Sequence, residues 1–244
     1  MPRRLAGERL IRTPVCAAAA RGALHVVAGV IRDSRDRVLL AQRPAGKHLA
    51  GGWEFPGGKL DGGETPFAAL RRELDEELGI AVDAAHPVIR IRHDYPDRRV
   101  LLDVWAVTGY RGSPQGCDGQ NLRWCEVDAL AGAQLLPADR PVVTALRLPE
   151  RLTATETALY RLGAADGASG GRSADPPRLH GAYCEDLAGA LVAGAAGADF
   201  LVLRRRLAGD ALTALCDAVD IPVYARGIEL EEAWRLGASG TCEL

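Results

Sequence analysis

The chain has no excess of charge of either sign: thirty Lys and Arg face thirty-two Asp and Glu, a net charge of −2 over 244 residues. A basic field of the kind that holds nucleic acid is therefore missing, and stable nucleic-acid binding is not expected. Nor is there an uncharged apolar run near the ~20 residues that cross a bilayer, so no membrane partner is expected. The six cysteines, at 16, 117, 125, 184, 216 and 242, include no C-x-x-C pair and no metal-type spacing. They read as reduced, scattered small hydrophobes and point to the cytoplasm. No Ser-His-Asp or Cys-His set can be assembled. What is present is a soluble composition, 48% hydrophobic and 25% charged, which excludes disorder throughout. The length suits two domains better than one.

The first 22 residues are rich in arginine, with Arg12 and Pro14 breaking any apolar core, and read as a loose tail rather than a secretory leader. From Leu24 the pattern becomes regular. Strands are predicted over Leu24–Ile31, Arg37–Arg43, Val88–His93, Arg99–Val107 and Leu122–Val127. A helix is predicted over Pro66–Leu78, with Thr65 as its cap and Gly79 as its stop, and another over Pro141–Arg147. Strands mixed with two helices make an α/β sandwich the natural architecture for residues 23–150. Residues 151–177, dense in Gly, Ala and Pro toward their end, read as a linker. Beyond it, residues 178–244 alternate short strands and helices, three βα units and the start of a fourth, as in half of a parallel α/β structure.

The chemistry concentrates in Gly58-Lys-Leu-Asp-Gly-Gly-Glu64, followed after seven residues by Arg72-Glu-Leu-Asp-Glu-Glu-Leu-Gly-Ile80. On a helix, Glu73, Glu76 and Glu77 fall at i, i+3 and i+4 and share a face, while Leu70, Leu74 and Leu78 form an inward face. Three adjacent like charges cost stability and make sense around a divalent cation. Oxygen-only ligands suit hard Mg²⁺ or Mn²⁺, which bind through carboxylates together with substrate phosphates. Glycines 57, 58, 62 and 63 let backbone come close to a ligand. A solvated acidic helix face is the alternative, and the fixed 23-residue frame argues against it.

That frame, G-x5-E-x7-R-E-U-x-E-E-x-G-U with U aliphatic, resembles the Nudix box at every fixed position. Residues from about 23 to 149 resemble a MutT-type Nudix hydrolase along their whole length. The stretches that carry the likeness include His25–Ile31, Gln42-Arg43, His48, Glu54-Phe-Pro-Gly-Gly-Lys59, Tyr95-Pro-Asp-Arg98 and Leu136–Pro141. The resemblance implies an α/β/α sandwich and Mg²⁺-dependent hydrolysis of a nucleoside triphosphate to monophosphate and pyrophosphate. In the MutT branch the substrate is 8-oxo-dGTP, and the role is to keep the nucleotide pool clean for DNA replication and repair. It implies that Glu73, Glu76 and Glu77, with the Gly57 carbonyl and Asp118, hold metal, and that one of the glutamates is the general base. It further implies that Arg43, His48, Glu54, Phe55, Pro56, Gly57, Arg98 and Asp139 meet the substrate. Arg72 and Glu64 look structural. Asp139 stands where the familiar bacterial form has asparagine. An ionised aspartate only accepts hydrogen bonds and opposes the guanine O6 unless it is protonated. Its alternative role is an N-cap for the following helix.

The βα repeats after residue 178 resemble the last part of a thiamine-phosphate-synthase or TenI-type barrel. A complete barrel has eight such units, so a synthase is not expected, and open edges suggest a scaffold or a homodimer through this segment. Two other functions remain: a Nudix hydrolase for another nucleoside or pterin triphosphate, and a module that binds a thiamine intermediate.

Overall fold

In the computed structural model of the chain, the described residues are 23–47, 49–153, 161–164 and 179–243. The expected tail, His48 and most of the expected linker lie outside them.

The first half holds two small sheets. One has the order β4 (Gly57–Lys59), β1 (Leu24–Ile31), β6 (Arg99–Arg111), β5 (Ala81–Asp94). The other is β3 (Trp53–Glu54), β2 (Val38–Gln42), β7 (Leu122–Cys125). Successive side chains of a strand point to opposite faces, and β1 uses both. Val27 and Ile31 pack with Ala69, Leu70, Leu74 and Leu78 of helix α1 (Pro66–Leu78). Ala28 and Val30 pack with Val142, Val143 and Ala145 of helix α2 (Arg140–Leu146). Helix, sheet and helix form three layers, as expected.

Helix α1 matches its predicted bounds because its ends are chemically marked. Thr65 Oγ1 accepts from the Ala68 N–H at 3.2 Å, Pro66 opens the first turn, and Gly79 ends the helix at φ 66°. Strand β5 begins seven residues earlier than predicted. Register shifts between Val82 and Ile89 break the alternation there, which hid the strand.

The second half is a six-stranded, all-parallel sheet, a half-barrel in the order β8 (Arg151–Thr153), β13 (Gly240–Glu243), β12 (Val223–Arg226), β11 (Phe200–Leu203), β10 (His180–Cys184), β9 (Arg161–Ala164). Helices α3 (Leu187–Ala195), α4 (Gly209–Ala218) and α5 (Leu230–Arg235) join its strands. Their apolar sides cover Leu201, Leu203, Val223 and Ala225, and the opposite face gathers Phe200, Val202, Tyr224 and Cys242 with Leu148 and Leu152. Strands buried on both faces read as continuous apolar runs, as parallel strands do.

The segment read as a linker supplies β8 and β9. At three and four residues they are too short to show a period, and they join the sheet edges through backbone pairing. They are consecutive in the chain yet lie at opposite edges, because β8 takes the place beside the last strand that a first strand has in a closed barrel.

The halves touch along β5. His86 stacks on Trp234 at 4.6 Å and 14°, its Nε2 is 3.2 Å from Glu150, and Arg92 pairs with Asp217 at 2.6 Å. A cavity of about 240 Å³ lies at this junction, lined by apolar residues such as Val88, Leu146, Leu148 and Tyr224. No described helix is long and apolar enough to cross a membrane.

Candidate active site

The site is built where β4 runs against β1 beside α1. Gly57 and Gly58 are required there for different reasons. Gly57 has φ +151°, and a Cβ on it would stand 2.2 Å from the Val27 carbonyl oxygen. A Cβ on Gly58 would stand 2.1 to 2.5 Å from the Glu73 carboxylate. The second glycine thus lets a helix carboxylate lie directly over the strand backbone.

Three glutamates of α1 occupy three environments. Glu73 is largely buried and accepts from Arg72 Nη1 at 2.9 Å. Glu77 accepts from the Gly57 N–H at 3.2 Å. Burial pushes its carboxyl up to about 7, and the nearby charges of Glu54 and Glu73 add to the rise, against lowering by the Gly57 hydrogen bond and Lys47. Glu76 is 61% exposed and 3.6 Å from Arg72. Arg72 gathers the cluster. It grips Glu64 with two hydrogen bonds of 3.1 and 2.9 Å, bonds the Lys59 carbonyl at 3.0 Å and reaches Glu73. The bidentate grip on Glu64 and the bond to Glu73 raise its own pKa.

Asp118 lies on an exposed turn whose backbone is tied to the end of α1. Its N–H donates to Gln120 Oε1 at 2.9 Å, while Gln120 Nε2 and the Cys117 N–H both donate to the Glu77 carbonyl at 3.0 Å. Among the described residues, no three Asp, Glu, His or Cys side chains converge as a formed metal cage. The carboxylates are instead turned to Arg72 and to the Gly57 amide. The candidate donors are all oxygens, as a hard divalent cation takes, and Glu73 and Glu77 are drawn together over Gly57 and Gly58.

A second group lies beside the first, at the start of α2. Asp139 is 4% exposed, and burial holds its carboxyl well above the usual carboxylate range, with Glu54 adding to the rise. It occupies the N-cap position, but its side chain makes no capping bond. Its Oδ1 accepts instead from the Phe55 N–H at 3.4 Å, a long contact. Arg43 pairs with Glu54, whose own carboxyl is raised by burial against the pull of Arg43 and Lys47. Phe55 and Pro56 are buried, Phe55 within the core against α2.

Arg98 is not brought to this group. It lies at the exposed hairpin tip between β5 and β6, paired with Asp97 at 2.6 Å. The hairpin brings Tyr95 instead, which packs on the core against α2 and hydrogen-bonds the Ala138 backbone within the field of Asp139, Arg43 and Glu54. Sequence reasoning passed over Lys47 and gave Tyr95, which it quoted only within Tyr95-Pro-Asp-Arg98, no role at the site. Their signal was position alone, one beside a hairpin turn and one in the loop between β2 and β3. Trp53 stacks under the Arg123 guanidinium at 4.2 Å and packs against the same core.

Residues 27–145 match the family model described as the NUDIX domain. The chain is 36% identical over 124 residues to an 8-oxo-dGTP diphosphatase of Escherichia coli (strain K12), covering 51% of this chain and 96% of that protein. It is 49% identical over 88 residues to an 8-oxo-dGTP diphosphatase of Proteus vulgaris, covering 36% of this chain and 79% of that protein. It is also 40% identical over 123 residues to a CTP pyrophosphohydrolase of Escherichia coli (strain K12), covering 50% of this chain and 90% of that protein.

Proposed function

The chain belongs to the Nudix family and is a Nudix hydrolase, and on that premise we propose that it converts 8-oxo-dGTP to 8-oxo-dGMP and pyrophosphate. The observation that carries the substrate assignment is Asp139, buried and raised beside the Phe55 amide. A protonated carboxyl both donates and accepts. It can donate to O6 of 8-oxoguanine while accepting from the ring N–H that oxidation adds, which removes the objection to an aspartate at this position. Plain guanine has an acceptor nitrogen where the oxidised base has that N–H, so one of the two bonds is lost with dGTP.

Glu73, Glu76 and Glu77, with Gly57 and Asp118, are the residues we assign to the divalent cation, Mg²⁺ in our reading. When bound, it supplies positive charge to the triphosphate oxygens and to the leaving pyrophosphate. The protein's own residues do the rest. Gly58 lets the Glu73 carboxylate, and Gly57 the Val27 carbonyl, lie against the β4 backbone. Arg72 holds Glu64 and Glu73 in place. Arg43, released from Glu54 or sharing it, offers a fork of donors to phosphate oxygens. A carboxylate of α1 takes the proton of the attacking water.

A second reading keeps the site and changes the base. A protonated Asp139 could donate to N3 of cytosine and accept from its amino group, and a relative that matches 50% of this chain is a CTP pyrophosphohydrolase. We read the parallel sheet of the second half, six strands among the described residues, as part of a thiamine-phosphate-synthase-type barrel. The test is product analysis with Mg²⁺. The wild type should release pyrophosphate and 8-oxo-dGMP, and Glu77→Gln should not. Release of inorganic phosphate, or normal turnover by Glu77→Gln, would overturn the assignment.

A further inference from the structure

Asp139, assigned above to the base, is held by little of its own side chain. It ends a short 3-10 turn, Pro137–Asp139, that leads into α2. Its carboxyl makes no capping bond, and its contact with the Phe55 N–H is long at 3.4 Å. A carboxyl bonded so loosely meets a base edge in one fixed geometry only if the backbone that carries it is fixed.

That backbone is tied from two sides. Toward β3, the Leu136 N–H donates to the Trp53 carbonyl at 2.9 Å, and the Asp139 N–H closes back on the Leu136 carbonyl at 3.0 Å. Toward the β5–β6 hairpin, the partner is Tyr95. The first N–H groups of a helical turn find no acceptor inside it, and Pro137 has no N–H to offer. Ala138 is 4% exposed, so its N–H needs an acceptor from another element. Burial raises the Tyr95 phenol, and its bond with the Ala138 backbone works against that rise. A bond has that sign when it is donated to the phenol oxygen, so the donor is the Ala138 N–H.

Tyr95 is itself held. Its N–H donates to the Arg98 carbonyl at 2.8 Å across the hairpin tip, and its ring meets His93 edge-on at 4.5 Å and 72°. It packs on the core that contains Ala138 and Phe55. We propose that Tyr95 is a positioning residue for base selectivity: its hydroxyl fixes the peptide before Asp139 and so aims the Asp139 carboxyl at the base. The inference rests on the reading of Asp139 given above. Phenylalanine would fill the same space and take the acceptor away from the Ala138 N–H, so the hydroxyl separates a positioning role from a packing role.

The test is steady-state hydrolysis of 8-oxo-dGTP and dGTP by the full chain with Mg²⁺, in the wild type, Tyr95→Phe, Asp139→Ala and the double variant. Tyr95→Phe should lower kcat/KM for 8-oxo-dGTP at least about fivefold, chiefly by raising KM, and that for dGTP less than about twofold. The dGTP rate also reports that the variant is folded. Asp139→Ala should lower the ratio of the two substrates further, and adding Tyr95→Phe to it should change the ratio no more, because Tyr95 acts through Asp139. An unchanged ratio in Tyr95→Phe, beside a lowered one in Asp139→Ala, would overturn the positioning role and leave the reading of Asp139 standing. An equal loss for both substrates, or a further fall of the ratio in the double variant, would also overturn it. An unchanged ratio in Asp139→Ala would instead remove the reading of Asp139, and the role of Tyr95 with it.

Discussion

The two halves of the chain crowd like charge in opposite ways. In the first half, glutamates of α1 press onto Gly57 and Gly58, and one arginine, Arg72, is threaded among them with bonds to Glu64, Glu73 and Lys59. In the second half, Arg204, Arg205, Arg206 and Arg226 stand together at the carboxyl ends of β11 and β12, held by the Tyr183 ring and by backbone carbonyls. The first cluster is partly buried and carries part of its own counter-charge. The second is mostly exposed, where solvent and salt screen it. Burial is what separates them: a like-charge cluster inside the protein shifts pKa values, as at Glu77, while the same crowding in water is screened.

The largest expected effect breaks the first cluster. Glu73→Gln should lower kcat/KM by about a thousandfold, roughly 4 kcal/mol of transition-state stabilisation, with little change in Tm, because the amide keeps an oxygen for Arg72. A Tm fall of several degrees with modest activity loss would recast Glu73 as structural. Gly57→Ala should come next, at about 2–3 kcal/mol of stability, since its Cβ would strike the Val27 carbonyl at an unfavourable φ. Denaturant unfolding measures this.

The third prediction concerns Asp139 and pH. Its folded carboxyl is raised above its unfolded value, so the stability it contributes is present at low pH and is lost as pH rises through that raised folded value. Selectivity should follow the same course, because the ionised form cannot donate to O6. The ratio of kcat/KM for 8-oxo-dGTP over dGTP should therefore fall with rising pH in the wild type and stay level in Asp139→Asn. A level profile in both would show that Asp139 does not read the base in its protonated form.

The smallest effect probes the junction between the halves. Trp234→Ala removes the ring stacked on His86 and should cost about 1–2 kcal/mol of stability while changing turnover less than twofold. A tenfold loss of turnover would show that the second sheet supports the active site, and the two halves could no longer be treated as independent.

How much of this was legible in the sequence follows the chemistry of each element. Helix α1 was read to the residue because Thr65, Pro66 and Gly79 mark its ends and its leucines repeat on one face. The strands of the second sheet were found as apolar runs, since both of their faces are buried. Strands β8 and β9 were missed because edge strands of three and four residues are too short to show a period. At the site, Glu73, Glu76 and Glu77 were legible as a helical triplet, but the differences between them were not. Glu77 is set apart by the Gly57 amide and by Glu54, which are distant in sequence. The raised carboxyl of Asp139 likewise depends on a burial that only the packed loop before α2 creates, and the hairpin between β5 and β6 turns Arg98 outward while it packs Tyr95 on the core.

The most direct test of the account is kcat/KM for 8-oxo-dGTP, dGTP and CTP under one set of conditions with Mg²⁺, following pyrophosphate release. A preference for 8-oxo-dGTP over both of at least about a hundredfold, roughly 2.7 kcal/mol of differential transition-state binding, is the predicted result. Near-equal values for 8-oxo-dGTP and dGTP, or a preference for CTP, would contradict it.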